Sequence, residues 1–153
     1  MGKSCCFAGH SDIFKTNELY KELTELIEKL ITEEDVTGFY VGNYGAFDRL
    51  SAKAVREVKE KYPHIRIELL IPYLTTEIVD YNEEYKKKYD GVLLALIPDN
   101  TPRRFYIKKC NEYMVGMSDF LICYVERSFG GARYTLDYAK RRKHIKVYNI
   151  AEK

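Results

Sequence analysis

The sequence predicts one Rossmann-like α/β domain over residues 1–153, three-layered, with a mostly parallel sheet and helices on both faces. Three observations lead there. Apolar runs alternate with segments of helical periodicity, the order that βαβ units produce. Several runs are apolar at every position, as in strands covered on both faces. Three of them are closely followed by a glycine-bearing turn and then a helical pattern: Gly9-His10-Ser11, Gly42-Asn43-Tyr44-Gly45 and Gly130-Gly131-Ala132.

Residues 5–8 are the first apolar run. Leu19, Leu23, Leu26, Ile27 and Leu30 then recur at helical spacing among Glu and Lys, which predicts an amphipathic helix over residues 17–31. Thr37-Gly38 closes the connection to a short buried strand at 39–41. A helix follows over 46–61, with Leu50, Ala54, Val55 and Val58 as its inner stripe, and Pro63 stops it. Residues 65–71 read as a strand closed by Pro72. Residues 77–89 carry three consecutive lysines and weak periodicity, the mark of a helix or an ordered excursion on the surface. A further strand at 92–97 ends at Pro98-Asp99-Asn100. Residues 103–117 form a helix with Phe105, Cys110, Tyr113, Met114 and Met117 as inward positions. The strand 120–125, the helix 132–142 and the strand 145–150 complete the chain.

The chain is 46% apolar and 31% charged, ordinary for a globular domain. Its 25 Lys and Arg against 23 Asp and Glu give +2, too little for a whole-protein field that would attract nucleic acid or membrane. The basic run 140–143 falls in the last turn of a helix, where it complements the dipole. The four cysteines form no C-x-x-C pair and share no zinc-site spacing with histidine, so neither a metal nor another cofactor is expected. Three of the four lie in apolar strands, as buried free thiols do. The opening Met1-Gly2-Lys3-Ser4 lacks the apolar region of a signal peptide, and Cys6 stands where an acylation signal has Ser or Thr. The run 92–97 is too short to span a bilayer. These readings together predict a reduced, cytoplasmic protein.

At the ends of parallel strands, glycine turns and helix N-termini present main-chain N–H groups suited to phosphate or ribose. In the third turn Gly130 and Gly131 admit close backbone approach, Ala132 opens the helix, and Thr135 and Asp137 can reach a ribose. Gly-Gly alone favours a plain strand-to-helix turn with a capping acid. In the second turn Gly42, Asn43, Gly45, Asp48 and Arg49 are candidates, Asp48 otherwise being a helix-start acid. In the first, Gly9, His10 and Ser11 are candidates, although His and Ser are also ordinary turn residues. A base can stack on Tyr44, Tyr73, Tyr106, Tyr113 or Tyr134.

The segments 5–10, 40–49, 118–120 and 130–140 resemble the small bacterial and phage members of the SLOG superfamily. These are Rossmann-like proteins related to the DNA-processing protein fold and to the Lonely Guy phosphoribohydrolases. The resemblance runs in order over nearly the whole chain and is looser between Thr75 and Pro102. It implies a nucleotide-derived ligand, ADP-ribose-like or a nucleotide second messenger, and a homodimer or higher homo-oligomer. The phosphoribohydrolase branch carries an arginine where Cys110 stands here and a glutamate where Asp137 stands. Relatives of the small group carry an arginine in place of Ser11. Lys108, Lys109 and Arg104 are the nearby cations that can stand in for the missing one. Preserved turns with altered catalytic positions favour a sensor or sequestering protein for a small nucleotide derivative. The alternative is a hydrolase or transferase acting on a nucleotide N-glycosidic bond, with Asp137 as electrostatic carboxylate and Asp48 assisting. The near-neutral charge disfavours DNA binding.

Overall fold

Successive residues of a strand face opposite sides of a sheet, and here that alternation divides the side chains between two cores. In the computed structural model, which describes residues 2–80 and 82–152, Cys5 and Phe7 enter one core and Cys6 and Ala8 the other. The strands are β1 (Lys3–Gly9), β2 (Val36–Val41), β3 (Arg66–Ile71), β4 (Gly91–Leu94), β5 (Phe120–Tyr124) and β6 (Lys146–Asn149). They form one sheet in the order β4-β3-β2-β1-β5-β6, and every pairing is parallel. The chain steps outward from β1 to β4, then returns to β5 on the other side of β1. The topological switch therefore lies between the carboxyl ends of β1 and β5, where open α/β sheets leave a crevice.

Helices α1 (Thr16–Glu34) and α2 (Ala46–Lys61) cover one face. Their apolar stripes, Leu19, Leu23, Ile27 and Leu30 on the first and Phe47, Ala54 and Val55 on the second, pack with Phe7, Phe39, Ile67 and Ile122. Helices α5 (Tyr106–Gly116) and α6 (Gly131–Lys140) cover the other, burying Cys110, Met114, Val115, Leu136 and Ala139 against Cys6, Leu70, Leu121 and Cys123. This is the three-layer α/β arrangement read from the sequence. All four cysteines are buried and free.

The structure departs from the sequence reading in several elements. Strand β2 begins at Val36 rather than Phe39, because Val36 already pairs with Lys3 of β1. Residues 77–89 hold two short helices, α3 (Thr76–Asp80) and α4 (Asn82–Lys88), with Tyr81 outside the described residues. Strand β4 stops at Leu94, and Ala95 adds only a single bond, from its amide to the Ile71 carbonyl (2.9 Å). The fifth helix opens with a 3-10 turn, Arg103–Phe105, preceded by Pro102. In α5 the buried stripe is Cys110, Met114 and Val115, whereas Phe105, Tyr113 and Met117 are half-buried. No helix among the described residues is long and apolar enough to cross a membrane.

Candidate functional site

A cavity of about 290 Å³ opens at the switch point. The end of β1 contributes Gly9, His10 and Ser11. The β5–α6 turn contributes Arg127, Phe129 and Gly130, and α6 contributes Gly131, Ala132 and Thr135 from its first two turns. Tyr44 and Asp48 come from the second turn and α2, and Ile107 and Asn111 from α5. Nine of the sequence candidates thus line one space: Gly9, His10, Ser11, Tyr44, Asp48, Gly130, Gly131, Ala132 and Thr135. Asn43 and Arg49 line a different cavity of about 260 Å³ between α2 and the α3–α4 segment. Gly42 and Gly45 lie behind Asp48 and Ser11. A larger groove of about 430 Å³ runs beside α4, but its walls are mainly long surface side chains, including Lys86, Lys87 and Lys88.

The three turns are not equivalent. The first amides of α2 are already spent on protein: Ala46 N–H donates to the Ser11 carbonyl (2.9 Å) and Phe47 N–H to the His10 carbonyl (3.3 Å). Tyr44 N–H donates to Asp48 Oδ2 (2.9 Å). The second turn therefore braces the first. Gly45 is part of that brace, since a Cβ on it would stand 2.6 Å from Ser11 Cα. The start of α6 is different. No side chain caps it, and its first intrahelical bond runs from Tyr134 N–H to the Gly130 carbonyl (3.0 Å). The amides of Gly131, Ala132 and Arg133 precede that bond, as helix-initial donors do. They give this wall of the cavity a partial positive charge. Gly130 adopts φ +97°, which favours glycine, and Gly131 has nothing within 4 Å of where a Cβ would sit. Thr135 donates its hydroxyl to the Gly131 carbonyl (3.0 Å) and leaves its oxygen lone pairs to accept.

His10 is buried and its Nε2 accepts the Glu126 N–H at 2.9 Å. That contact fixes the neutral tautomer with the proton on Nδ1 and ties the first turn to the third. Burial, reinforced by Arg127, holds the imidazole below its ordinary pKa. Asp48 is the carboxylate of the cavity. Burial pushes it up to about 6, opposed by the Tyr44 amide and Arg49. A raised folded-state pKa means stability is lost as pH rises from 3.8 through about 6. Asp48→Asn, which keeps an acceptor for Tyr44, is expected to raise Tm at pH 8. The gain is on the order of 1–2 kcal/mol for this partly buried group, and it disappears below about pH 4. Thermal unfolding of both proteins across that range checks it; an Asn variant less stable at pH 8 contradicts it.

Asp137 and the basic residues named from the sequence lie elsewhere. Asp137 does not line the cavity; its carboxylate pairs with Arg133 (3.3 Å). Lys108 lies over the Tyr134 ring (4.2 Å to its centroid), Lys109 pairs with Glu112 (3.2 Å), and Arg104 lies over Phe105 (4.8 Å). The cation that does line the cavity is Arg127, whose Nη2 meets both Asp12 carboxylate oxygens at 3.1 and 3.2 Å. The sequence reading missed it, together with Asn111, Ile107 and Phe129. Their signals were present: Arg127 and Phe129 stand between the apolar strand and Gly-Gly, and Ile107 and Asn111 are four apart on one helix face. Phe129 is 71% exposed and, with Ile107 and Tyr44, gives the cavity an apolar side.

A parallel sheet with a glycine-walled cavity at its switch point places this chain among Rossmann-like α/β proteins. It belongs to the YspA SLOG family, whose model, YpsA, matches residues 10–152. A UPF0398 protein of Halalkalibacterium halodurans is 32% identical over 127 residues, covering 78% of this chain and 67% of that protein. The SPbeta prophage-derived protein YoqJ of Bacillus subtilis is 26% identical over 144 residues, covering 81% of each. Among solved structures, DNA processing protein A of Streptococcus pneumoniae matches with a TM-score of 0.70 at 15% identity, covering 97% of this chain. DNA processing protein A of Helicobacter pylori, whose structure describes single-stranded DNA binding, matches with a TM-score of 0.65 at 12% identity over 95% of this chain. At those identities the likeness is one of fold. The chain spans 50% of the first of these structures and 65% of the second.

Proposed function

We propose that this protein binds a small nucleotide-derived ligand in the cavity between β1 and β5, as a sensor or sequestering protein. One observation carries the reading. The start of α6 offers uncapped amides beside two glycines, one of which meets no protein atom that would require it to be glycine. An anionic group such as phosphate suits that wall. Arg127 adds a cation that it shares with Asp12, Asp48 an acceptor for a ribose hydroxyl, and Phe129, Ile107 and Tyr44 an apolar side for a base. Membership of the SLOG family supports the nucleotide class. The N-glycosidase alternative has less support, since Asp137 lies outside the cavity lining.

The test is to incubate the purified protein with nucleoside monophosphates, NAD and cyclic ADP-ribose isomers. A single-stranded oligonucleotide is included, since the fold is shared with a protein that binds single-stranded DNA. Small molecules released on denaturation are identified by mass spectrometry. Intact small nucleotide at near-stoichiometric ratio is the expected result. Free base released during incubation supports the enzyme reading instead, and retention of the oligonucleotide alone overturns the small-ligand proposal.

A further inference from the structure

The net charge of +2 conceals a division along the chain. Residues 1–100 carry 13 Lys and Arg against 18 Asp and Glu, whereas residues 101–153 carry 12 against 5. That basic segment includes α5, α6 and β6, so the helical layer on one face of the sheet is its basic layer. The acids of these two helices are each neutralised at home. Glu112 takes Lys109 at 3.2 Å and the Tyr134 hydroxyl at 2.5 Å, and Asp137 takes Arg133. Lys108, Lys140, Arg141, Arg142 and Lys143 are in no ion pair among the described residues.

Aromatic rings lie between these cations. Tyr134 and Tyr138 stack on each other at 6.3 Å and 27°. The Lys108 ammonium lies over Tyr134 at 4.2 Å, and the Arg142 guanidinium over Tyr138 at 3.6 Å. Lys108, Tyr134, Tyr138 and Arg142 thus form one continuous stripe from α5 across α6. A guanidinium lying over a ring keeps its charge and its donors, and its planar group can itself be stacked upon. Dipole complementation at the end of α6 explains neither the stacking nor Lys108 on the neighbouring helix.

We infer that this α5–α6 stripe is a docking surface for single-stranded nucleic acid, separate from the cavity at the switch point. Alternating cations and stacking planes match the alternating phosphates and unpaired bases of a single strand. A duplex offers the same charge with its bases hidden, and a membrane surface offers charge with no bases.

Fluorescence anisotropy of a labelled 20-residue oligothymidylate, titrated at several salt concentrations, tests the inference. A duplex of equal length and vesicles containing anionic lipid serve as comparisons. The wild-type chain is expected to bind the single strand more tightly than either. The double variant Arg141→Ala/Arg142→Ala should weaken binding by roughly tenfold or more and flatten the salt dependence by about 1.4 in slope, as loss of two phosphate contacts implies. Tyr138→Ala should weaken binding with little change of slope, and unchanged thermal unfolding keeps either loss from being one of fold. Gly131→Val, which intrudes on the cavity wall, should leave oligonucleotide binding intact. The inference is overturned by absence of binding at low salt, by equal binding of duplex or vesicles, or by a loss that follows Gly131→Val and ignores Arg142.

Discussion

Gly131→Val is expected to abolish retention of the small ligand, a loss of about 100-fold or more, while Tm stays within a few degrees of wild type. Gly131 begins α6 with an ordinary backbone; only Gly45 and Gly130 among the glycines have positive φ. Nothing lies within 4 Å of its missing Cβ, so neither strain nor crowding accounts for glycine. In helical positions glycine costs up to about 1 kcal/mol against alanine. The cavity wall does account for it, since a branched side chain there occupies the space in front of the amides of residues 131–133. A valine variant that retains ligand as well as wild type would place the ligand elsewhere. One that unfolds would make the residue a packing glycine after all.

Gly45→Ala should act in the opposite way, destabilising by about 2–4 kcal/mol and lowering Tm by roughly 5–15 °C. Its φ of +155° is one that side chains rarely adopt, and the added Cβ meets Ser11 Cα at 2.6 Å and Ser11 Cβ at 3.0 Å. The obstruction is main chain and cannot rotate away. Relief requires separating the first and second turns, which breaks the Ala46–Ser11 and Phe47–His10 bonds. Phe47, fully buried and stacked on Tyr124, is then left poorly held. Ligand binding should fall with the fold, because Ser11 and His10 line the cavity. Calorimetric unfolding of the variant measures the effect, and a Tm equal to wild type contradicts the account of the second turn as a brace.

Most of the fold was legible in the sequence because its signals are local. The stripe of Leu50, Ala54, Val55 and Val58 and the stop at Pro63 delimit α2 at Ala46–Lys61, as predicted. Where signals are tertiary the reading slipped. Val36 is drawn into β2 by Lys3, more than thirty residues away, and Val115 is buried by the packing of α5 on the sheet. The same holds at the candidate site. Periodicity places three glycine turns at strand ends, but it cannot show that α2 donates its amides to the first turn while α6 leaves its own uncapped. Nor can it place Arg127 opposite Asp12, 115 residues earlier in the chain. Net charge is blind to place for a physical reason: a sum over 153 residues carries no position, and the sheet sorts the basic segment onto one face.

Amide chemical shifts of the isotopically labelled chain, followed by NMR during titration with inorganic phosphate and then with adenosine monophosphate and ADP-ribose, test the central claim most directly. The largest shifts should fall on the amides of Gly130, Gly131, Ala132 and Arg133 at the start of α6, with Gly9, His10 and Ser11 following as the ligand fills the cavity. Shifts confined to Asn43 and Arg49 or to residues 140–143, with the α6 amides unmoved by every one of these anions, would contradict it.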